Sequence, residues 1–237
     1  KRVTAHTTFA LARSGSALPR LRLSIRGCRD ITSDGIMALS ALIHLVHLDV
    51  AGVPSVDLNS VSSMVGEASS TAEVTAGVGV RQLESVCLAT CACDDECVRV
   101  LAAANPRLTD LNLHGCRRFE MATWRNGSNN GFPPNGPENG PASDWPFDLG
   151  RACPHLRRLN LSLTRASGPA LDLLTRCGSL EVLNIRGCSA MDEAAIDTFR
   201  VLKRARPMIV RCNEQPTSAP TTSTTSTTST TSTTSWS

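Results

Sequence analysis

Tyrosine is absent from these 237 residues, and five Phe and three Trp are the only aromatic side chains. A core made mainly of Leu, Val, Ala and Cys suits thin repeated layers better than one central aromatic cluster. Long apolar runs are missing as well. The longest candidate, Ile36 to Val53, is broken by Ser40, His44, His47 and Asp49 and falls short of the roughly 20 apolar residues a membrane-spanning helix needs. No charge of one sign dominates: 24 Lys and Arg face 21 Asp and Glu, a net +3. That is too weak to make nucleic acid or an anionic membrane the main partner. The chain opens on Lys1 with no apolar stretch of a secretory signal, which reads as a fragment or internal product of a longer protein.

Catalytic signatures are lacking too. The histidines are His6, His44, His47, His114 and His155, and none lies in H-E-x-x-H. His44 and His47 stand near a strand start with no carboxylate at a metal-binding spacing. Gly77-Val-Gly79 begins like a dinucleotide loop but lacks the third glycine, and neither G-x-x-x-x-G-K-[ST] nor G-x-S-x-G occurs. The expectation is therefore no catalytic residue, no metal ligand and no cofactor, and binding rather than enzymatic work.

What the sequence does contain is a repeat. Leu108-Thr-Asp-Leu111-Asn-Leu113-His-Gly-Cys116 reads L-x-x-L-x-L-x-x-C, and Leu180-Glu-Val-Leu183-Asn-Ile185-Arg-Gly-Cys188 follows it almost letter for letter. Leu83, Val86, Leu88 and Cys91 fit again. Leu45, Leu48, Val50 and Val53 form a fourth copy, and Leu156, Leu159, Leu161 and Thr164 a fifth. A sixth copy, Leu23, Ile25 and Cys28, has its first leucine at Leu21, one residue closer than elsewhere. Met208, Val210 and Cys212 form a degenerate last copy. Each Cys slot opens a second pattern, as in Ile31, Ile36 and Leu39 or Met191, Ile196 and Phe199. Without insertions the copies start about 25 residues apart, within the range of leucine-rich repeats.

The periods carry the fold. L-x-L alternates as a strand with one buried face does, and I-x-x-x-x-I-x-x-L lays its apolar residues along one side of a helix. A unit of about 25 residues cannot bury that apolar face alone, whereas stacked units can. The predicted fold is an α/β leucine-rich-repeat solenoid, a horseshoe with parallel strands on the concave face and helices on the convex face. The pairs Gly27-Cys28, Gly115-Cys116 and Gly187-Cys188, together with Ile31-Thr32-Ser33-Asp34-Gly35-Ile36, resemble the cysteine-containing repeats of the F-box leucine-rich-repeat proteins. That resemblance implies the substrate-recognition part of an SCF-type ubiquitin ligase adaptor in the cytoplasm or nucleus. Contact with ligase subunits would then run through a segment upstream of Lys1.

Ten cysteines also raise the question of zinc. Cys87, Cys91, Cys93 and Cys97 form a C-x3-C-x-C-x3-C run, yet the repeat places them differently. Cys91 fills the Gly-Cys slot, Cys93 the buried slot of Ile31, and Cys97 the place of Gly35. Cys87 lies between the inward Val86 and Leu88 and should face the concave side, so the four thiols do not converge on one tetrahedral point. Recurrence at one repeat position also favours reduced thiols over disulfides.

The solenoid is expected over 18–212, with insertions near 65–80 and 125–150. The second insertion holds the Gly-, Pro- and Asn-rich stretch from Asn126 and is flanked by Trp124 and Trp145. Residues 1–17 read as a flank, the helix of a preceding repeat. Residues 213–237, rich in Thr and Ser, lack the apolar groups that offset ordering entropy and read as a disordered tail. Such a tract, with the Asn126-Gly-Ser sequon, leaves a second reading open: a secreted or cell-surface repeat protein on a glycosylated stalk.

Strand alternation singles out a candidate partner-binding surface. If the L-x-L leucines point inward, their neighbours line the concave face. These are Arg22, Ser24, Arg26, His47, Asp49, Asp110, Asn112, His114, Arg158, Asn160, Asn184 and Arg186, with Ser85, Cys87 and Ser162 in the same columns. The column is polar, mixed in charge and rich in hydrogen-bonding groups, as a protein-binding face is.

Overall fold

The structure is a computed structural model that describes residues 7, 8, 10, 11, 20–66, 79–121, 148–203 and 208–212. The expectations for Trp124, Trp145, the Asn126 sequon and the Thr/Ser tract lie outside the described residues.

Seven short strands form one open sheet, all parallel and in chain order: β1 (Leu21–Ser24), β2 (Leu45–Asp49), β3 (Ser85–Cys87), β4 (Asp110–Asn112), β5 (Arg158–Asn160), β6 (Val182–Asn184) and β7 (Ile209–Arg211). Their register reproduces the sequence repeat. Leu23, Leu48, Val86, Leu111, Leu159, Leu183 and Val210 are cross-strand partners in succession. The degenerate last copy is therefore a strand of the same sheet. Inner members of this column, from Leu48 to Leu183, are almost wholly buried, each worth roughly 1.5–3 kcal/mol of apolar transfer. The shortened first copy is accommodated locally. Leu21 still pairs with Leu45, and the register slips between Leu21 and Arg22, so that Val46 is the extra residue of β2.

A helix or helical turn follows each of the first six strands: α1 (Ser33–Met37), continued as a 3-10 turn, α2 (Leu58–Val65), α3 (Asp95–Ala104), α4 (Leu149–Ala152), α5 (Gly168–Leu174) and α6 (Glu193–Leu202). The starts are set by side chains that accept first-turn N–H groups. Thr32, Asp57, Asp94, Asp148 and Asp192 all do so, and Ser60 completes a capping box with Asp57. Successive helices pack on one another, so one continuous apolar layer lies between them and the sheet.

Two buried side-chain positions add hydrogen bonds between repeats to the apolar contact. One is the Cys slot. The Cys91 thiol donates to the Val50 carbonyl at 3.1 Å, Cys116 to Leu88 at 3.1 Å and Cys188 to Leu161 at 3.0 Å, each acceptor being one repeat upstream. Burial pushes Cys91 and Cys116 up to about 12. In the second, Asp95 is buried, and its Oδ1 accepts the Glu120 and Met121 N–H groups at 2.7 and 2.9 Å. Sequence alone places Asp95 simply as a helix-start carboxylate; the structure makes it a tie to the next repeat.

The crowded cysteines occupy different repeat slots, although the Cys93 and Cys97 thiols lie within hydrogen-bonding reach of each other. Cys91, Cys93 and Cys97 are buried while Cys87 is half-buried, and all ten cysteines are free thiols. Among the described residues no three His, Cys, Asp or Glu side chains gather where they could hold a metal ion.

Candidate functional site: the concave sheet face

Two geometric devices build the open face of the sheet. The first is a ladder of bent strand ends. The backbone N–H groups of Gly27, Gly52, Thr90, Gly115 and Leu163 each donate to the next repeat's carbonyl, at 2.7–2.8 Å. These residues and Gly187 all have positive φ, from 57° to 72°. Glycine adopts that region freely, whereas Thr90 and Leu163 adopt it at a cost.

The second device is a set of side-chain turns. Asn112, Asn160 and Asn184 are in register on β4, β5 and β6. Each uses Oδ1 to accept the N–H two residues on, from His114 at 3.0 Å, Ser162 at 3.1 Å and Arg186 at 3.2 Å. Asp49 does the same for Ala51 at 3.0 Å. With Oδ1 committed, the three Asn amides are left with their NH2 groups as donors. No partner for these groups exists among the described residues.

His114 and Ser162 form a bridge between two repeats. The His114 Nδ1 lies 2.8 Å from Ser162 Oγ, which itself donates to Asn160 Oδ1 at 2.7 Å. Because that hydroxyl proton goes to Asn160, the imidazole must donate through Nδ1. A nucleophile–base pair needs the opposite polarity, with the imidazole accepting. The arrangement orders the His114 and Ser162 side chains across the two repeats.

The structure divides the predicted face into groups already engaged and groups left open. Asp110 is buried, pairs with Arg158 across β4 and β5, and accepts the Thr109 hydroxyl at 2.8 Å. Asp49 also receives the Ser24 hydroxyl at 3.4 Å. Asp110, Arg158 and Asp49 are thus largely engaged in holding the face together, and Asn160, itself buried, is engaged there through its Oδ1. Arg22, Arg26 and Arg186 are exposed and His47 half-buried, and none of their side chains has a hydrogen-bonded or ionic partner among the described residues. Arg211 joins them on β7, in register with Asn184. It was missed because the last copy is degenerate, although its place beside Val210 is the same alternation that marks Asn184.

A trough of about 540 Å³ runs along this face. The in-register asparagines, His114 and Ser162 line its middle, with Arg26 toward one end and Arg186 toward the other. Leu163, half-exposed at 54%, forms part of the wall. Sequence reasoning passed over Leu163; the signal was a leucine standing where four other copies carry glycine.

No family model matches the chain, and no curated protein matches it. Among solved structures it is similar to an internalin from Listeria monocytogenes, at 13% identity and a TM-score of 0.46, over 78% of this chain and 40% of that one. It is also similar to the Rad7 and Elc1 complex of yeast, at 15% identity and a TM-score of 0.22, over 84% of this chain and 81% of that one. The chain thus spans 40% of the length of the internalin. The α/β leucine-rich-repeat solenoid fold stands on the chain's own seven-strand register.

Proposed function

We propose that this chain is a protein–protein interaction module that receives its partner on the concave sheet face. The observation that carries the reading is the division of that face. One set of polar groups is tied into the scaffold, and a second set, Arg22, Arg26, His47, Arg186 and Arg211, is presented without partners among the described residues. A rigid sheet carrying uncommitted side chains is organised for recognition. The finer reading is the substrate-recognition part of an SCF-type ubiquitin ligase adaptor, with the solenoid over 18–212 as the module. The cysteine-containing repeat subtype supports it. Ten free thiols, several donating to buried carbonyls, support a reducing cytoplasmic or nuclear setting.

The test is affinity purification of the chain, within its full-length gene product, beside an Arg26→Glu/Arg186→Glu variant. Cullin-type ligase subunits recovered with both, and a further protein recovered only with the wild type, are expected. A partner lost in the variant without any ligase subunit would remove the adaptor role and leave the module. Identical sets from both proteins would remove the concave face as the binding site.

A further inference from the structure

We infer that the concave trough is a subsite for an extended acidic segment of a protein partner, whose carboxylates meet Arg26 and Arg186 and whose backbone crosses the asparagine row. The inference rests on the interaction-module reading and names the partner chemistry at that same face. Three independent observations lead to it.

The trough is one-sided in its chemistry. Its lining includes two arginines, a histidine and three asparagines, and no carboxylate. Of the nearby acids, Asp110 pairs with Arg158, while Asp49, outside the lining, accepts neutral donors, the Ala51 N–H and the Ser24 hydroxyl. The asparagines are not neutral in what they offer. Each Oδ1 is held by a backbone N–H, so the row presents NH2 donors, which suit carboxylate and carbonyl oxygens.

The dimensions fit a peptide. From β1, just before Arg26, to β6, just before Arg186, there are five strand spacings of about 4.8 Å, roughly 24 Å along the sheet. An extended chain covers that distance in about seven residues. An acid at each end of such a segment would reach the two guanidiniums, with peptide carbonyls over the amides between.

The third observation is Leu163. It is held at a φ of 58° where four other repeats use glycine, and its side chain lies over Gly187, where a Cβ would come within 2.3 Å of Leu163 Cδ2. A branched residue in that region costs about 1 kcal/mol or more, and such strain clusters at ligand-binding positions. An exposed leucine on the wall gives the segment one apolar contact in an otherwise polar trough.

Fluorescence anisotropy with labelled octaglutamate tests this, with octaglutamine and an oligothymidylate of equal length as comparison probes. Wild-type protein should bind octaglutamate and not octaglutamine. The Arg26→Glu/Arg186→Glu variant should bind octaglutamate roughly tenfold more weakly, as expected for two reversed contacts of modest strength. A control, Arg81→Glu/Arg107→Glu, changes net charge equally at exposed arginines away from the trough. It should change binding by less than about twofold at physiological salt. Thermal melting of each variant confirms an intact fold. Equal losses in both variants would reduce the effect to general charge and overturn the proposal. So would oligothymidylate binding with the same sensitivity, which would make the partner a nucleic acid. If octaglutamate fails to bind while the concave variant still loses a protein partner in the purification, the acidic-segment inference falls and the module reading stands.

Discussion

The thiol of Cys116 donates to the carbonyl of Leu88, one repeat upstream, at 3.1 Å. That carbonyl also accepts the Cys91 N–H of its own turn at 3.0 Å. The slot therefore wants a small buried group with one weak donor. Thr164 fills it with a hydroxyl, which donates within its own turn, to Leu161 at 2.7 Å. Cys116→Ala should cost about 1–2 kcal/mol, from lost volume and a lost hydrogen bond. Cys116→Ser should cost less, because a hydroxyl finds an acceptor here. Urea denaturation of the two variants decides it, and a serine variant weaker than the alanine one would show that the buried hydroxyl finds no acceptor in this slot.

Buried thiols also set the alkaline limit of the fold. Cys91, Cys116, Cys153 and Cys177 are pushed from about 9 up to about 12, above all by burial. Their folded values are raised, so their contribution is fully present below pH about 9 and is lost as the pH rises toward 12. In that window each thiol removes up to about 1.4 kcal/mol of stability per pH unit. Urea midpoints should fall steeply above pH 9, with the thiolates of these four residues appearing only as the chain unfolds. Ultraviolet absorbance reports this cleanly, since no tyrosine is present to ionise in the same range. Ionisation of any of these four thiols near pH 9 in a chain that remains folded, read against variants in which each is replaced, would contradict their burial.

Asp95 joins two repeats through one oxygen. Asp95→Ala leaves the Glu120 and Met121 N–H groups without that acceptor, and should cost about 2–4 kcal/mol. Asp95→Asn keeps an oxygen in place and should cost about 1 kcal/mol, from exchanging a charged acceptor for a neutral one. Thermal melts compare them. Equal losses would mean that the carboxylate charge, rather than the geometry, holds the turn.

Much of this fold is legible in the sequence because its determinants are local and repeated. Leu23, Leu48, Val86, Leu111, Leu159 and Leu183 align by eye, and the sheet pairs them in that order. Cys153 and Cys177 could have been aligned as well. Each stands three residues before the first leucine of its copy, in the slot of Leu42 and Asn105. The residues of the concave face were legible as positions but not as roles. Alternation places Arg158 and Arg186 on the same face, in different columns of the repeat. Only the neighbouring strand shows that Arg158 is bound to Asp110 while Arg186 has no such acid beside it. The tie made by Asp95 was hidden for the same reason, since its partners lie 25 and 26 residues further on. Period analysis reports which face a residue occupies and carries nothing about pairing across repeats.

Leu163 is the place where stability and recognition should separate. Its φ of 58° lies in the left-handed region that glycine holds at 27, 52, 115 and 187, so Leu163→Gly relieves strain of about 1 kcal/mol. The side chain is 54% exposed and gives up little buried area when removed. The glycine adds some freedom to the unfolded chain, which offsets part of the gain. The net expectation is a melting temperature raised by about 1–2 °C. Thr90→Gly, at the equivalent turn, should behave alike, because Thr90 is also strained and exposed. If Leu163→Gly instead melts lower while Thr90→Gly melts higher, the contact of Leu163 with Gly187 outweighs the backbone strain. The leucine would then be a packing residue of the β5–β6 turn, and the strain argument for the trough would fail with it.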